Sequence, residues 1–227
     1  MRIGVFSDIH GNIYSFEPIY KKLMKEKLDA YYFCGDICGY YYYHNEIIDI
    51  LSVMENFHGV SGNHDLMFLE SLVDKTVINT YVKKYGSSIL EFHENIKSSS
   101  IAFLERLPNK YEDVSLSLVM YHGSPWNPRT DYIYPNNCFD RFNKLNHQFV
   151  LLGQTHYAMH KKVESMQVIN PGSCGQPRDS KPPSYVVLDT ISGKVQFHYV
   201  PYDPTPLIRD IRKRKEKIPY LEEVLLR

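Results

Sequence analysis

Three times in the first 65 residues an apolar run ends in a glycine-flanked polar cluster. Residues 2–7 (RIGVFS) lead into Asp8-Ile9-His10-Gly11-Asn12, residues 30–34 (AYYFC) into Gly35-Asp36, and residues 57–61 into Gly62-Asn63-His64-Asp65. Between them, Ile13, Phe16, Ile19, Tyr20, Leu23 and Met24 recur at helical spacing over 13–27, and 45–55 reads as a second helix. This recurrence of strand, loop and helix predicts βαβ units and a largely parallel sheet. Such sheets hold ligands beyond the carboxyl ends of their strands, which is where each polar cluster falls.

The rest of the chain has a different texture. Residues 76–107 read as helix in two pieces, broken near Ser98-Ser99-Ser100 and stopped by Pro108. Strand patterns follow at 114–121, 149–152, 166–169, 184–189 and 194–200. Their close spacing predicts a second, more antiparallel sheet packed on the first. Pro201 to Pro206 turns the chain into a helical tail at about 205–227, and no linker or repeat divides the remainder, so one domain over 1–227 is expected.

Charge and composition narrow the function. Lys and Arg (26) balance Asp and Glu (26), so no global basic field favours nucleic acid or an anionic membrane. The basic run 209–217 (RDIRKRKEK) reads as the wet face of a terminal helix. No signal peptide and no membrane-spanning run is seen. Of the cysteines, only Cys34 and Cys38 are close, with no second close pair to complete a zinc ribbon. A cytoplasmic protein with reduced thiols is expected.

Five clusters follow predicted strands: Asp8/His10, Asp36, Asn63/His64, His122 and Gln154/His156. Each alone is an ordinary turn. Five in order, each beside a glycine that lets the backbone turn sharply, point to a shared site. Carboxylate and amide oxygens mixed with imidazoles suit manganese, iron or zinc better than calcium or a thiolate site. A carboxylate with two free oxygens can bridge two cations, and such a pair can clamp the attacking and leaving oxygens of an in-line displacement. No serine-centred triad is evident, and Ser124 and Ser173 read as turn or capping residues.

The segments SDIHGN (7–12), GDICGY (35–40), SGNHD (61–65), YHGSPWNP (121–128), GQTH (153–156) and NPGSCGQPRD (170–179) resemble the calcineurin-like metallophosphoesterase superfamily, closest to its compact bacterial and archaeal phosphodiesterases. The resemblance runs from residue 2 to about 200. It implies a four-layer α/β/β/α sandwich of two mixed sheets flanked by helices. It implies two divalent metal ions, manganese first, with iron, zinc, nickel or magnesium as alternatives. One ion would be held by Asp8, His10, Asp36 and His156. The other would take Asp36 as the bridge, then Asn63, His122 and position 154. A bridging hydroxide would attack, and His64 would contact the phosphoryl group or protonate the leaving oxygen. Two departures stand out. The last motif usually reads Gly-His-x-His, and here Gln154 replaces its first histidine, a weaker donor that puts the second ion in question. GDICGY also lacks the Asp-Arg-Gly continuation of the Ser/Thr protein phosphatases.

The expected activity is hydrolysis of a small phosphate ester, most simply a diester and conceivably a nucleotide. A non-catalytic, protein-binding scaffold of the same fold is the alternative that Gln154 favours. A DNA-processing nuclease fits less well, for want of a basic groove. Arg178 is a candidate for a phosphate oxygen or for a salt bridge with Asp179. Arg129 is a weaker candidate, and Trp126 is a candidate cleft wall. The run Tyr40 to Tyr43 is expected to pack as a cover on the core rather than stack on a ligand. His44, His58, His93, His147, His160 and His198 read as ordinary surface or satisfied residues.

Overall fold

The computed structural model describes residues 1–179 and 181–227. Its elements in chain order are β1 (Arg2–Phe6), α1 (Ile13–Lys25), β2 (Ala30–Phe33), α2 (His44–Ser52), β3 (Phe57–Gly59), α3 (Asn63–Val73), α4 (Thr76–Tyr85), α5 (Ser88–Asn95) and α6 (Ser98–Arg106). There follow β4 (Lys110–Asp113), β5 (Leu118–Tyr121), a 3₁₀ turn (Asp140–Lys144), β6 (Phe149–Leu151), β7 (Ala158–Val163), β8 (Met166–Pro171), β9 (Ser184–Asp189), β10 (Lys194–Tyr199), α7 (Thr205–Lys213) and α8 (Tyr220–Glu223). The strands form two five-stranded mixed sheets, ordered β10-β9-β1-β2-β3 and β4-β5-β6-β8-β7.

Alternation along the strands sorts the side chains into layers. Ile3 and Val5 of β1, Tyr32 of β2 and Val186 and Leu188 of β9 face Leu118, Met120, Phe149, Leu151 and Ile169 of the other sheet, all fully buried. The opposite face of the first sheet, with Phe6, Phe33, Tyr185 and Val187, carries the helices through Phe16, Ile19, Leu23, Ile47, Leu51 and Phe68. The outer face of the second sheet is covered by Phe142 of the 3₁₀ turn together with Trp126, Phe139 and Leu145. The result is the expected α/β/β/α sandwich, with the fourth layer thinned to a loop and one 3₁₀ turn. No helix among the described residues is long and apolar enough to cross a membrane.

Several local expectations need correction. The last two strands do not join the second sheet. β9 pairs antiparallel with β1 and β10 with β9, so both sheets carry two parallel and two antiparallel pairings. Residues 76–107 form three helices, broken at Gly86 (φ 95°) and Ile96, while Ser98–Ser100 are the first turn of α6. The apolar run 114–121 is not one strand. Asp113 Oδ1 accepts from Ser115 Oγ (2.6 Å) and Leu116 N (3.2 Å), which folds 114–117 into a turn between β4 and β5. Helix α3 went unread because polar Asn63, His64 and Asp65 occupy its first turn, and edge strand β7 because AMHKKV has few apolar residues.

The C-terminal elements close over the tyrosine run. Leu207, Ile211 and Leu221 pack on Tyr40, Tyr41 and Tyr42. Tyr14 and Tyr43 both donate to Asp210 Oδ2, and Glu216 accepts from Tyr42 OH (3.0 Å) and Ser87 N (3.0 Å). Of the basic run, Arg209, Lys213, Lys215 and Lys217 are solvated, as a wet face requires. Arg214 is not: it pairs with Glu91 (2.6 and 2.7 Å) and lies over the Tyr42 ring at 3.9 Å.

This layering sets where truncation is felt. Phe149→Ala, in the contact between the sheets, is expected to cost about 3–5 kcal/mol of unfolding free energy. Val114→Ala, at an 83% exposed turn position, should stay within about 0.5 kcal/mol. Urea titrations of the two variants measure both, and equal costs would contradict the layer assignment.

Candidate metal centre

The loops that follow β1, β2, β5 and β6 and the start of α3 meet at one end of the sandwich. Asp8, His10, Asp36, His122, Gln154 and His156 are all buried there, with Asn63 at the edge. Five of these residues hold left-handed backbone conformations, Asp8 (φ 55°), His10 (52°), Asp36 (65°), Gln154 (68°) and His156 (61°). Each such conformation costs a non-glycine residue roughly 1 kcal/mol or more. Strain concentrated on one set of side chains marks a place where geometry is held for something other than stability.

The imidazoles have a common tautomer. His10 Nδ1 lies 2.8 Å from Cys38 O, His122 Nδ1 2.7 Å from Cys34 O, and His156 Nδ1 2.6 Å from Gln176 O. A carbonyl can only accept, so each Nδ1 carries a proton and each Nε2 points inward. His10 Nε2 and His156 Nε2 then face each other at 3.1 Å, with Asp8 Oδ1 at 3.7 and 3.3 Å from them. Both Asp8 oxygens are buried without a hydrogen-bond partner. Two lone pairs and a bare carboxylate have nothing to offer one another. The group lacks a positive centre.

Asp36 joins this set to a second one. Its Oδ1 accepts from His64 N (2.9 Å), while Oδ2 faces His10 Nε2 (3.7 Å) and His122 Nε2 (3.2 Å). Asn63 Oδ1 (3.2 Å) and Gln154 Oε1 (2.7 Å) also converge on His122 Nε2. Burial would depress the His122 imidazole, but the Asp36 carboxylate, with Asp8 behind it, pushes it up to about 10. Burial would raise the Asp36 carboxyl, but the His122 imidazole that faces it holds it well below the usual carboxylate range. Among the described residues no Lys or Arg pairs with Asp8 or Asp36. The two buried carboxylates therefore require either an imidazolium proton or a cation. Asp8, His10 and His156, and likewise Asp8, Asp36 and His122, place donor atoms close enough to hold a metal ion.

The donor set fits divalent metal and not thiolate chemistry. Burial pushes the Cys34 and Cys38 thiols well above their ordinary range, and both sulfurs lie in apolar clusters. These cysteines serve the site through their carbonyls. Glycine is needed at two points. A Cβ at Gly62 would stand 1.9 Å from Asp36 Oδ1, and Gly39 (φ 108°) has His64 Nδ1 and His10 Nδ1 at 2.7 and 2.8 Å from where its Cβ would lie.

His64 lies beside the cluster, 5.0 Å from the His10 ring. Tyr81 OH, buried and 3.3 Å from His64 Nδ1, has that nitrogen as its partner, which leaves Nε2–H as the free donor. Burial, which outweighs the pull of Asp36, lowers the His64 imidazole to about 3, and it is neutral. A cleft of about 320 Å³ opens over the cluster, with Asp36, His64, Gln154 and His156 on its floor. Arg178 lines it, donating to Tyr40 OH (3.0 Å) and Gln176 Oε1 (3.1 Å). Among the described residues the alternative salt bridge of Arg178 with Asp179 does not form, and Arg178 Nε is buried without a partner. Arg129 and Trp126 are not among the lining residues. Trp126 packs edge-on against Phe142 (4.9 Å) with Arg141 over its face. In the tyrosine run Tyr41 and Tyr42 pack as a cover, but Tyr40 reaches the cleft.

Some positioning residues escaped the sequence reading. The buried Asp65 carboxylate accepts from the backbone N–H groups of Asp36 (3.0 Å), Ile37 (2.9 Å), Cys38 (2.9 Å) and Gly62 (2.9 Å), and so fixes the loop that carries Asp36. Its signal was its place at the third position of a helix start. Asn170 Nδ2 donates to Gly153 O (2.6 Å) and Thr155 Oγ1 (3.1 Å), shaping the Gln154–His156 turn. Ser124 and Ser173 are turn residues as expected, each accepting from two backbone N–H groups. Among the other histidines, His44 is buried against Phe92 (4.5 Å) and His93 meets Ser71 (2.7 Å).

Known proteins resemble this chain in sequence or in fold. An uncharacterized protein of Methanocaldococcus jannaschii is 29% identical over 238 residues, covering 95% of this chain and 91% of its own. A hypothetical protein of Pyrococcus horikoshii superposes with a TM-score of 0.83 at 21% identity, over 98% of this chain and 97% of its own. A metallophosphoesterase of Sphaerobacter thermophilus superposes with a TM-score of 0.77 at 24% identity, over 94% of each chain. The sequence pattern of the calcineurin-like phosphoesterase superfamily domain matches residues 1–193, and with that match over most of its length the chain belongs to this superfamily.

Proposed function

We propose that the chain is a phosphodiesterase that hydrolyses a small phosphate ester with two divalent cations, manganese for preference. The observation that carries this reading is the convergence of His10 Nε2 and His156 Nε2 on Asp8, whose two buried oxygens have no hydrogen-bond partner. Asp8, His10, Asp36 and His156 would hold one cation, and Asp36, Asn63, His122 and Gln154 the other. Bound there, the cations supply Lewis acidity toward the phosphoryl oxygens and lower the pKa of an attacking water.

The chain's own residues do the rest. Cys34, Cys38 and Gln176 carbonyls hold the imidazoles by Nδ1 and so aim every Nε2 at the cations, and such outer partners govern ligand basicity. His64, neutral and held from behind by Tyr81, presents Nε2–H to a phosphoryl oxygen. A neutral imidazole is a good hydrogen-bond donor and a poor proton source, so the contact role suits it better than general acid. Arg178 lines the cleft with no carboxylate partner among the described residues and supplies the charged donor. The scaffold alternative rests on Gln154 alone, and Gln154 Oε1 points into the cluster as a ligand would.

Three outcomes follow. Chelation should abolish hydrolysis of a chromogenic diester and manganese should restore it, whereas full turnover by protein shown to be metal-free would end this reading. Gln154→His should tighten the weaker of two manganese-binding steps by about 10–100-fold in calorimetry, and an unchanged titration would remove Gln154 from the ligand set. His64→Ala should lower kcat by roughly 10²–10³ with metal content intact. The loss should be the same for nitrophenyl and phenyl leaving groups. A smaller loss with nitrophenyl would restore the general-acid role.

A further inference from the structure

The walls of the cleft are aromatic, and they come from parts of the chain far apart in sequence. Tyr40 follows β2, Tyr85 ends α4, Tyr132 lies in the loop after β5, and Tyr220 begins α8. Tyr220 belongs to the C-terminal segment, which lies beyond the residues 1–193 matched by the family pattern. That segment is fixed in place. Tyr41 OH donates to Leu221 O (3.1 Å), Glu216 accepts from Ser87 N and Tyr42 OH, and Arg214 pairs with Glu91. These contacts bring Tyr220 to 6.5 Å from Tyr40, which meets Tyr85 edge-on at 5.4 Å.

Tyr132, a further lining residue, is also set before any ligand arrives. Tyr132 is 49% exposed, yet its ring is stacked nearly parallel on Tyr134 (6.0 Å, 14°). Tyr134 meets edge-on the ring of Tyr157, the neighbour of His156 (5.6 Å, 80°). The plane of Tyr132 is thereby tied to the loop that carries the metal cluster. Two side-chain cations, Arg178 and Lys84, line the same cleft. Among the described residues neither has a carboxylate within salt-bridge distance, and Lys84 Nζ rests 5.0 Å over the Tyr85 ring. Rings fixed by other rings lose little freedom when a flat group stacks on them, and stacking on aromatic side chains tolerates any base.

We propose that the tyrosine-walled part of the cleft is a subsite for a planar ring carried by the phosphate ester, so that a nucleoside 5′-phosphate arm, rather than an alkyl or sugar phosphate, is the group it holds. The phosphate end points at the metal cluster and Arg178, the ring lies between Tyr132 and the Tyr85/Tyr220 wall, and Lys84 at the rim takes any further anionic group. This rests on the phosphoesterase reading above, whose site it extends.

Calorimetry on the manganese-loaded, full-length protein tests it with three ligands: adenosine 5′-monophosphate, ribose 5-phosphate and inorganic phosphate. Adenosine 5′-monophosphate should bind about tenfold or more tightly than ribose 5-phosphate, which lacks only the base. Tyr132→Ala and Tyr220→Ala should each shrink that ratio, while Tyr132→Phe should keep it. Tyr132 is on an exposed loop, so its variants test the subsite without disturbing the core. A ratio within twofold in the unaltered protein, or one unchanged in both alanine variants, overturns the subsite while phosphate binding leaves the phosphoesterase reading standing. If inorganic phosphate itself does not bind, that reading fails and the subsite falls with it.

Discussion

Two buried carboxylates that pair with no Lys or Arg among the described residues govern this architecture. Asp36 sits at the carboxyl end of a central strand, with one oxygen tied to the His64 amide and the other turned toward His10 and His122. Asp8, equally buried, lies beside it with neither oxygen satisfied. Placing two such groups together is unfavourable by several kcal/mol per ion unless positive charge joins them. The surrounding structure accepts that cost and organises itself around it. Three imidazoles are locked in one tautomer by backbone carbonyls, and Asp65 secures the Asp36 loop with four N–H acceptances.

The same demand explains the backbone. The left-handed conformations of Asp8, His10, Asp36, Gln154 and His156 are each unfavourable alone. They persist because the loops are over-determined: Asp8 N and Ile9 N bond to Gly35 O (2.9 Å) and Asp36 O (2.8 Å), and Cys174 N and Gly175 N bond back to Ser7 O and Asp8 O (both 2.9 Å). The two sheets, closed by a dry interface of Ile3, Val5, Leu118, Phe149 and Val186, supply the stability against which this strain is held. Stability resides between the sheets, and the candidate site lies at the strand ends, where five of its residues are left-handed.

This division decides what could be read in the sequence. Ligand candidates and the parallel half of the first sheet were legible, because Asp8, Asp36 and Asn63 sit where apolar runs give way to glycine. The return of β9 and β10 to the first sheet was not legible. Their alternation fixes which face is buried but does not say which neighbour they pair with. Helix α3 was hidden because its first turn is occupied by site residues, so its apolar pattern starts late. Asp65 was visible as a residue and silent as to role, since nothing local shows that its carboxylate holds a loop nearly thirty residues away. Tyr85, Tyr132 and Tyr220 gave no signal at all, because only the tertiary fold brings them to one cleft.

Placement of metal around Asp36 is the most direct test of the account. Crystals grown with excess manganese and measured at its absorption edge should show anomalous peaks on both sides of the Asp36 carboxylate. One peak should be within coordination distance of Asp8, His10 and His156, the other within reach of Asn63, His122 and Gln154. Anomalous density found elsewhere on the molecule, with none at Asp36 or Asp8, would contradict the claim that these buried carboxylates exist to hold divalent cations.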